Sequence, residues 1–266
     1  AWDRISLILH MESNLKVIDS TSEQAHQHAV MEFKDVSFSY PDGDSKVLSN
    51  VDFIFEKGRT YAFVGPTGGG KTTSASLIAR LFDPTKGVIY LHGKDIRSYE
   101  PAALAQHVGF ILQEPFLFTG TIRENIAYGN PLYTSDTLHL LETHLTHTGL
   151  SSLVSRFSKG LDTPVTSQGG LSLGERQIIA FIRAVLRKPD VLVLDEATAN
   201  IDTVTEEILQ TILEKLPKHT VRVVIAHRLN TIENADEIFF VNGGEVVQAG
   251  SMEHAVEMLL HGKRKS

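Results

Sequence analysis

Apolar residues fall along this chain in two textures. One has the 3.6-residue spacing of a helix, the other the short dense runs of a buried strand. Trp2, Ile5, Ile8, Leu9 and Leu15 keep near-helical spacing, which predicts a helix over residues 1–19 with one apolar face. Residues 20–29 are polar and read as a linker. Val30 to Tyr40, with Phe33, Val36, Phe38 and Tyr40 apolar, predicts a strand that turns at Pro41-Asp42-Gly43. A second strand-like run goes from Val47 to Phe55 and stops at Lys57-Gly58. Thr60 to Val64 is a short apolar run entering a glycine-rich loop, and a helix is expected from Lys71 to Leu81, ended near Pro84. Residues 88–97 read as a strand with a turn at Gly93, and Val108 to Leu112 as a buried strand. Residues 115–186 are mostly helical in pattern. The runs 191–195 and 221–226 are buried strands, each followed by a helical stretch. Residues 237–248 predict a hairpin around Asn242-Gly243-Gly244, and Met252 to Leu260 a last helix. Apolar strands alternating with helices imply an α/β protein with a mainly parallel sheet covered on both faces.

Composition narrows the function classes. The 266 residues suit one core carrying a sub-domain or insertion. The net charge of −7 argues against an overall basic nucleic-acid binder. The absence of cysteine removes disulfides, thiolate zinc sites and cysteine nucleophiles. No apolar run reaches the roughly 18–20 residues that span a bilayer. The chain opens on Ala1 without a signal-peptide pattern, so we expect a piece of something longer.

The glycine-rich loop carries the first chemistry. Gly65-Pro66-Thr67-Gly68-Gly69-Gly70-Lys71-Thr72 fits G-x-x-x-x-G-K-[ST] between a predicted strand and a predicted helix. Glycines let backbone N–H groups converge on phosphate oxygens, and a helix N-terminus adds its positive dipole end. Lys71 supplies a cation for the terminal phosphates and Thr72 a hydroxyl for Mg²⁺. The run Val191-Leu192-Val193-Leu194 ends in Asp195 and Glu196. A buried strand does not hold an unpaired carboxylate, so Asp195 belongs at its exit. With a phosphate loop present, that position faces the metal, and Glu196 can orient or deprotonate an attacking water.

The discriminating segment is Leu171-Ser172-Leu173-Gly174-Glu175-Arg176-Gln177, ahead of an apolar helical stretch from Ile178 to Leu186. Ser172 is a good N-cap, so this helix start reads as a second anion site. With it the chain resembles, over about residues 30–260, the nucleotide-binding domains of ATP-binding cassette (ABC) transporters, exporters most of all. Phe38-Ser39-Tyr40 is similar to the aromatic loop that stacks adenine, and residues 65–73, ending in Thr73, to Walker A. Gln113 resembles the Q-loop glutamine, LSLGERQ the family signature, Asp195-Glu196 the end of Walker B, Ala199 to Asp202 the D-loop and His227 the switch histidine.

The resemblance implies a P-loop ATPase core with an antiparallel β sub-domain and a helical sub-domain at 114–186. Residues 30–266 would form the nucleotide-binding domain, and residues 1–29 a helix and linker leading from a membrane domain. It implies ATP as substrate, with Mg²⁺ on Thr72, Gln113 and Asp195. Lys71 and Gln113 would assist catalysis, with Glu196 as general base and His227 on the γ-phosphate. It implies nucleotide contacts from Tyr40, from Gly65 through Thr73, and from Ser172, Gly174, Glu175 and Asp202. The implied partners are a second nucleotide-binding domain, facing head to tail, and the transmembrane domain at the cytoplasmic face of a membrane, with no nucleic acid.

The sequence departs from the family at several points. Leu173 replaces the first signature glycine, Glu175 the glutamine and Ala199 the D-loop serine, and the loop at 163–170 lacks its usual acidic residue. A soluble ABC-type ATPase and a non-hydrolysing regulatory cassette are the alternatives. Only 59 residues separate Gln113 from Ser172, too few for the long coiled coil of the soluble repair enzymes. Intact Lys71, Asp195 and Glu196 argue against a silent cassette. Apart from His227, the other eleven histidines show no metal-ligand spacing; His139, His144 and His147 share a probable helix, with only 144 and 147 at i,i+3.

Overall fold

The computed structural model describes residues 15–19, 26, 28–41, 46–166, 170–195, 201–225, 235–250, 254 and 257. Residues 1–14 of the predicted N-terminal helix, Glu196, Ala199, Asn200, His227 and most of the predicted last helix lie outside them, while residues 15–19, the end of the helix expected over 1–19, are not helical.

Two sheets organise the chain. The first is antiparallel, with β1 (Ala29–Phe38), β2 (Leu48–Glu56), β4 (Lys86–Leu91) and β5 (Lys94–Asp95) in the order β2-β1-β4-β5. The second has six strands. These are β3 (Thr60–Val64), β6 (Val108–Ile111), β9 (Val191–Asp195), β10 (Val221–Ile225), β11 (Glu237–Asn242) and β12 (Glu245–Gln248), in the order β12-β11-β3-β10-β9-β6. All its pairings are parallel except the β11–β12 hairpin. The fold is thus the α/β P-loop type with an antiparallel sheet, as expected. Strand β9 shows why its sequence is apolar without a break. Val191 and Val193 pack into one core cluster, Leu192 and Leu194 into another, and all five residues are buried. A strand covered on both faces has no solvent side to mark with polar residues.

Helix α1 (Lys71–Ile78) follows the glycine loop and α2 (Pro101–His107) leads into β6. Between β6 and β9 lie α3 (Ile122–Ala127), α4 (Leu140–Thr148), α5 (Ser151–Val154) and α6 (Leu173–Arg187), together with a two-stranded ladder of β7 (Gly120–Thr121) and β8 (Pro164–Val165). Helix α7 (Thr203–Leu213) separates β9 from β10. The stretch expected to be mostly helical therefore also holds a short ladder and a turn-rich passage through residues 128–139.

Helix α1 stops three residues before the expected Leu81. Arg80 adopts a left-handed backbone (φ 49°) and is buried. Its guanidinium pairs with Asp83 at 3.0 Å and donates to the carbonyls of Ile96, Tyr99 and Lys16. Those tertiary bonds outweigh the helical preference of the segment. At the exposed level, no helix among the described residues is long and apolar enough to cross a membrane.

Candidate functional site

The loop from Gly65 to Gly70 leaves the C-terminal end of β3 and opens α1. One side of it is packed and the other is open. A Cβ on Gly65 would lie 2.0 Å from the Val241 carbonyl oxygen, and one on Gly69 2.6 Å from the same atom. A Cβ on Gly68 would meet nothing within 4 Å, but its φ of +78° still favours glycine. Gly70, also at positive φ, is the N-cap of α1. The loop therefore rests on the backbone of β11 and turns its other side outward, which fits a phosphate cradle. Pro66 and Thr67 complete it. The Pro66 carbonyl accepts from Gly69 N at 3.1 Å. Lys71 is buried, and its Nζ donates to Gly65 O at 2.9 Å and Pro66 O at 3.0 Å. Thr72 is exposed at the helix start, while Thr73 is buried and bonds Tyr40 Oη at 3.0 Å. Tyr40 stands edge-on to Phe38 and Phe82, with ring centroids 4.9 and 5.2 Å away, so the loop and the aromatic segment meet.

Asp195 is the buried last residue of β9. Only β10 separates β9 from β3, so the Asp195 end and the glycine loop are two strand spacings apart, about 10 Å. Gln113 lies just past the end of β6, the neighbour of β9 on its other side. The phosphate loop, Asp195 and Gln113 thus gather at the C-terminal edge of one parallel sheet, where α/β folds collect ligands. A hydroxyl, an amide oxygen and a carboxylate from Thr72, Gln113 and Asp195 would offer an all-oxygen donor set, whose chemistry suits Mg²⁺.

Ser172, Gly174 and Glu175 sit at the other helix start. Ser172 caps α6: its Oγ accepts from Glu175 N at 3.2 Å, and Glu175 Oε2 accepts from Ser172 N at 2.7 Å, a reciprocal capping box. The Glu175 that departs from the family thus has a local structural partner. Gly174 faces Thr205, and a Cβ there would come within 3.0 Å of its side chain. Thr205 is in turn held by Asp202, the N-cap of α7, at 2.9 and 2.7 Å. Hydrogen bonds from Thr205 hold the Asp202 carboxyl below its ordinary value. The predicted D-loop aspartate and signature glycine therefore meet through one threonine.

Two residues escaped sequence reasoning. Gln177 is fully buried on α6 and its Nε2 donates to Gln113 O at 2.6 Å, so α6 grips the backbone at Gln113. Arg183 bonds Asn125 O at 2.6 Å and lies 5.9 Å from the centroid of the Tyr128 ring. Burial, with Arg187 close by, pulls its guanidinium down to about 10, still charged at neutral pH. These arginines line a groove with Pro115, Phe116, Phe118 and Tyr128. Phe116 and Tyr128 are exposed by 66% and 52%, an apolar patch of the kind that marks an interaction surface. The fold brings His92, His107 and Asp190 together, a grouping that the spacing of the histidines did not suggest. No spacing signal could have shown this, because the contacts span 98 and 83 residues.

Comparison with known proteins agrees with this geometry. The family model described as ABC transporter matches residues 48–199. The chain is 42% identical over 262 residues, 95% of its length and 43% of the relative's, to the "Uncharacterized ABC transporter ATP-binding protein YfiC" of Bacillus subtilis. It is 39% identical over 246 residues to the "Probable multidrug resistance ABC transporter ATP-binding/permease protein YheH" of the same organism, covering 91% of this chain and 36% of that one. It is 42% identical over 223 residues to "ABC transporter B family member 15" of Arabidopsis thaliana, covering 83% and 18%. The chain spans less than half the length of these curated relatives.

Proposed function

Because the chain belongs to the ABC transporter family, we propose that it is the ATP-hydrolysing domain of an exporter, paired head to tail with a second such domain and driving an attached membrane domain at the cytoplasmic face. The observation that carries this reading is the open-sided glycine loop after β3, with only β10 between it and the Asp195 end of β9. In this reading residues 1–29 lead in from the membrane domain, residues 30–266 are the nucleotide-binding domain, and residues 114–186 are its helical part.

The roles follow from chemistry. Backbone N–H groups of the 65–73 loop, Pro66 excepted, hold the phosphates, and Lys71 leaves the loop carbonyls to neutralise charge on the terminal ones. Thr72, Gln113 and Asp195 would hold Mg²⁺, which when bound offsets phosphate charge as a Lewis acid. Tyr40 gives the base a face to stack on. Glu196 takes a proton from the attacking water, and His227 donates to the γ-phosphate. Ser172, Gly174, Glu175 and Asp202 belong to the surface that closes on the nucleotide held by the other copy. One nucleotide does not easily use both helix starts of one chain, since one opens α1 in the core and the other opens α6 in the helical part. The exposed Phe116, Phe118 and Tyr128 supply an apolar seat for the membrane domain.

The test is Glu196→Gln. It should bind Mg-ATP, hydrolyse it poorly and accumulate a nucleotide-bound dimer in light scattering. A monomeric variant with wild-type turnover would reject both the base and the paired mechanism.

A further inference from the structure

The edge of the six-stranded sheet opposite the phosphate loop carries a second constellation. His107, Asp190 and His219 stand just before β6, β9 and β10, three adjacent strands entered from the same end. Backbone bonds lock them together: Asp190 N donates to His107 O and Val221 N to Asp190 O, both at 2.8 Å. His92 reaches the same place from the β4–β5 turn. There His92 and Gly93 both take positive φ, a turn in which asparagine would sit more easily. Both His92 Nε2, at 3.0 Å, and His107 Nδ1, at 2.6 Å, bond the same oxygen, Asp190 Oδ2, while His219 Nε2 lies 3.8 Å from Oδ1.

We propose that His92, His107, His219 and Asp190 form a binding site for one divalent transition-metal ion, zinc by preference, separate from the nucleotide site. The donor set is three imidazoles and one carboxylate, which zinc takes as four-coordinate, with bonds of about 2.0–2.2 Å. Such bonds place ligand atoms about 3.3 Å apart in a tetrahedron. His92, His107 and Asp190 already offer ligand atoms within 4.8 Å of one another; to take an ion, His107 Nδ1 opens from 2.6 Å to about 3.3 Å from Asp190 Oδ2 and the more widely spaced ligand atoms close toward the same separation. His219 then swings in as the fourth ligand. Access is open, since the side chains of His92 and His107 are about one-third exposed and that of His219 about one-half. The ion requires each imidazole to turn a lone pair inward, with its proton on the other ring nitrogen. The single carboxylate leaves the bound site with one net positive charge. Imidazole donors favour zinc, nickel or copper over Mg²⁺, so the two sites of this chain sort their metals by ligand type.

The experiment uses chelator-treated protein without nucleotide. Zinc titration by calorimetry should give one site per chain, and Co²⁺ should develop the visible absorption of a tetrahedral complex. Lys71→Ala should bind zinc as the wild type does, since the phosphate loop takes no part. His107→Gln and His92→Asn, the latter compatible with its turn, should each weaken zinc at least about tenfold while leaving urea unfolding intact. A wild-type chain with no saturable zinc or cobalt binding would overturn the site. So would undiminished binding in either variant, which would put the ion on other histidines such as His26 and His28.

Discussion

Gln177 offers the sharpest test of how the signature helix and the Q-loop act as one unit. Its side chain is fully buried, and its amide is only half satisfied. Nε2 donates to Gln113 O at 2.6 Å and reaches Leu112 O at 3.4 Å, whereas Oε1 has no hydrogen-bond partner among the described residues. Flipping the amide would face an oxygen to two carbonyls, so the orientation is fixed. Gln177→Leu, of similar size, deletes both features. The lost hydrogen bond costs about 0.5–1.5 kcal/mol, and removal of the unpaired buried acceptor returns about 1–3 kcal/mol. The two nearly cancel, so net stability should stay within about 1 kcal/mol of the wild type or rise slightly. Gln177→Glu should instead place a carboxylate against two carbonyls with no water, and cost several kcal/mol. Urea midpoints measure stability, and steady-state phosphate release measures turnover. We expect the leucine variant to keep its midpoint but lose about tenfold or more in turnover, because Gln113 is no longer tied to α6. A loss of more than about 2 kcal/mol would refute the cancellation. Unchanged turnover would refute the idea that Gln177 positions the Q-loop.

Four further expectations follow from the site. Lys71→Ala should weaken nucleotide binding by about 1.5–3 kcal/mol, read by fluorescent-nucleotide titration, and Tyr40→Ala should weaken ATP far more than inorganic triphosphate. Gly69→Ala, whose Cβ would press on the Val241 and Pro66 carbonyls, should unfold at much lower urea than Gly68→Ala, which meets open space and carries only a left-handed backbone cost of about 1–2 kcal/mol; equal midpoints would reject the packed underside of the loop. Glu175→Gln should leave stability within about 1 kcal/mol, since the amide can still accept from Ser172 N, yet it should raise the ATP-induced dimer fraction in a Glu196→Gln background by removing a negative charge that would face phosphates. A dimer fraction that falls or stays level would count against that placement.

Much of the fold was written in local patterns. The runs at 60–64 and 191–195 became strands with those bounds, because each is a short apolar stretch closed by a sharp signal, a glycine loop in one case and an acidic pair in the other. The hairpin at Asn242 to Gly244 was equally legible from its turn residues. Where sequence reading failed, the cause was distant. The early end of α1 depends on what Arg80 finds in residues 16, 83, 96 and 99. At the candidate site, the loop and Asp195 could be read from motif and burial, but the grip of Gln177 on Gln113 and the meeting of Gly174 with Thr205 needed the tertiary fold. The histidine cluster shows the limit most plainly, since its members share no helix or strand and only the sheet order makes them neighbours.

Sheet order also dictates when this chain can become functional during its own synthesis. Strand β3, which launches the phosphate loop, has β10 and β11 as its neighbours, and both are made long after it, from Val221 onward. The ion pair that spans this seam, Arg59 to Glu237, joins residues 178 positions apart. The loop's underside likewise waits for Val241. At roughly 5–20 residues per second, a ribosome needs on the order of ten to thirty seconds to supply them. Throughout that interval β3 has two bare edges and an apolar face of Tyr61 and Phe63. Exposed apolar surface and unpaired strand edges are what make partly folded chains prone to aggregate, and synonymous changes that slow decoding between residues 65 and 220 would lengthen that exposure without altering a single side chain.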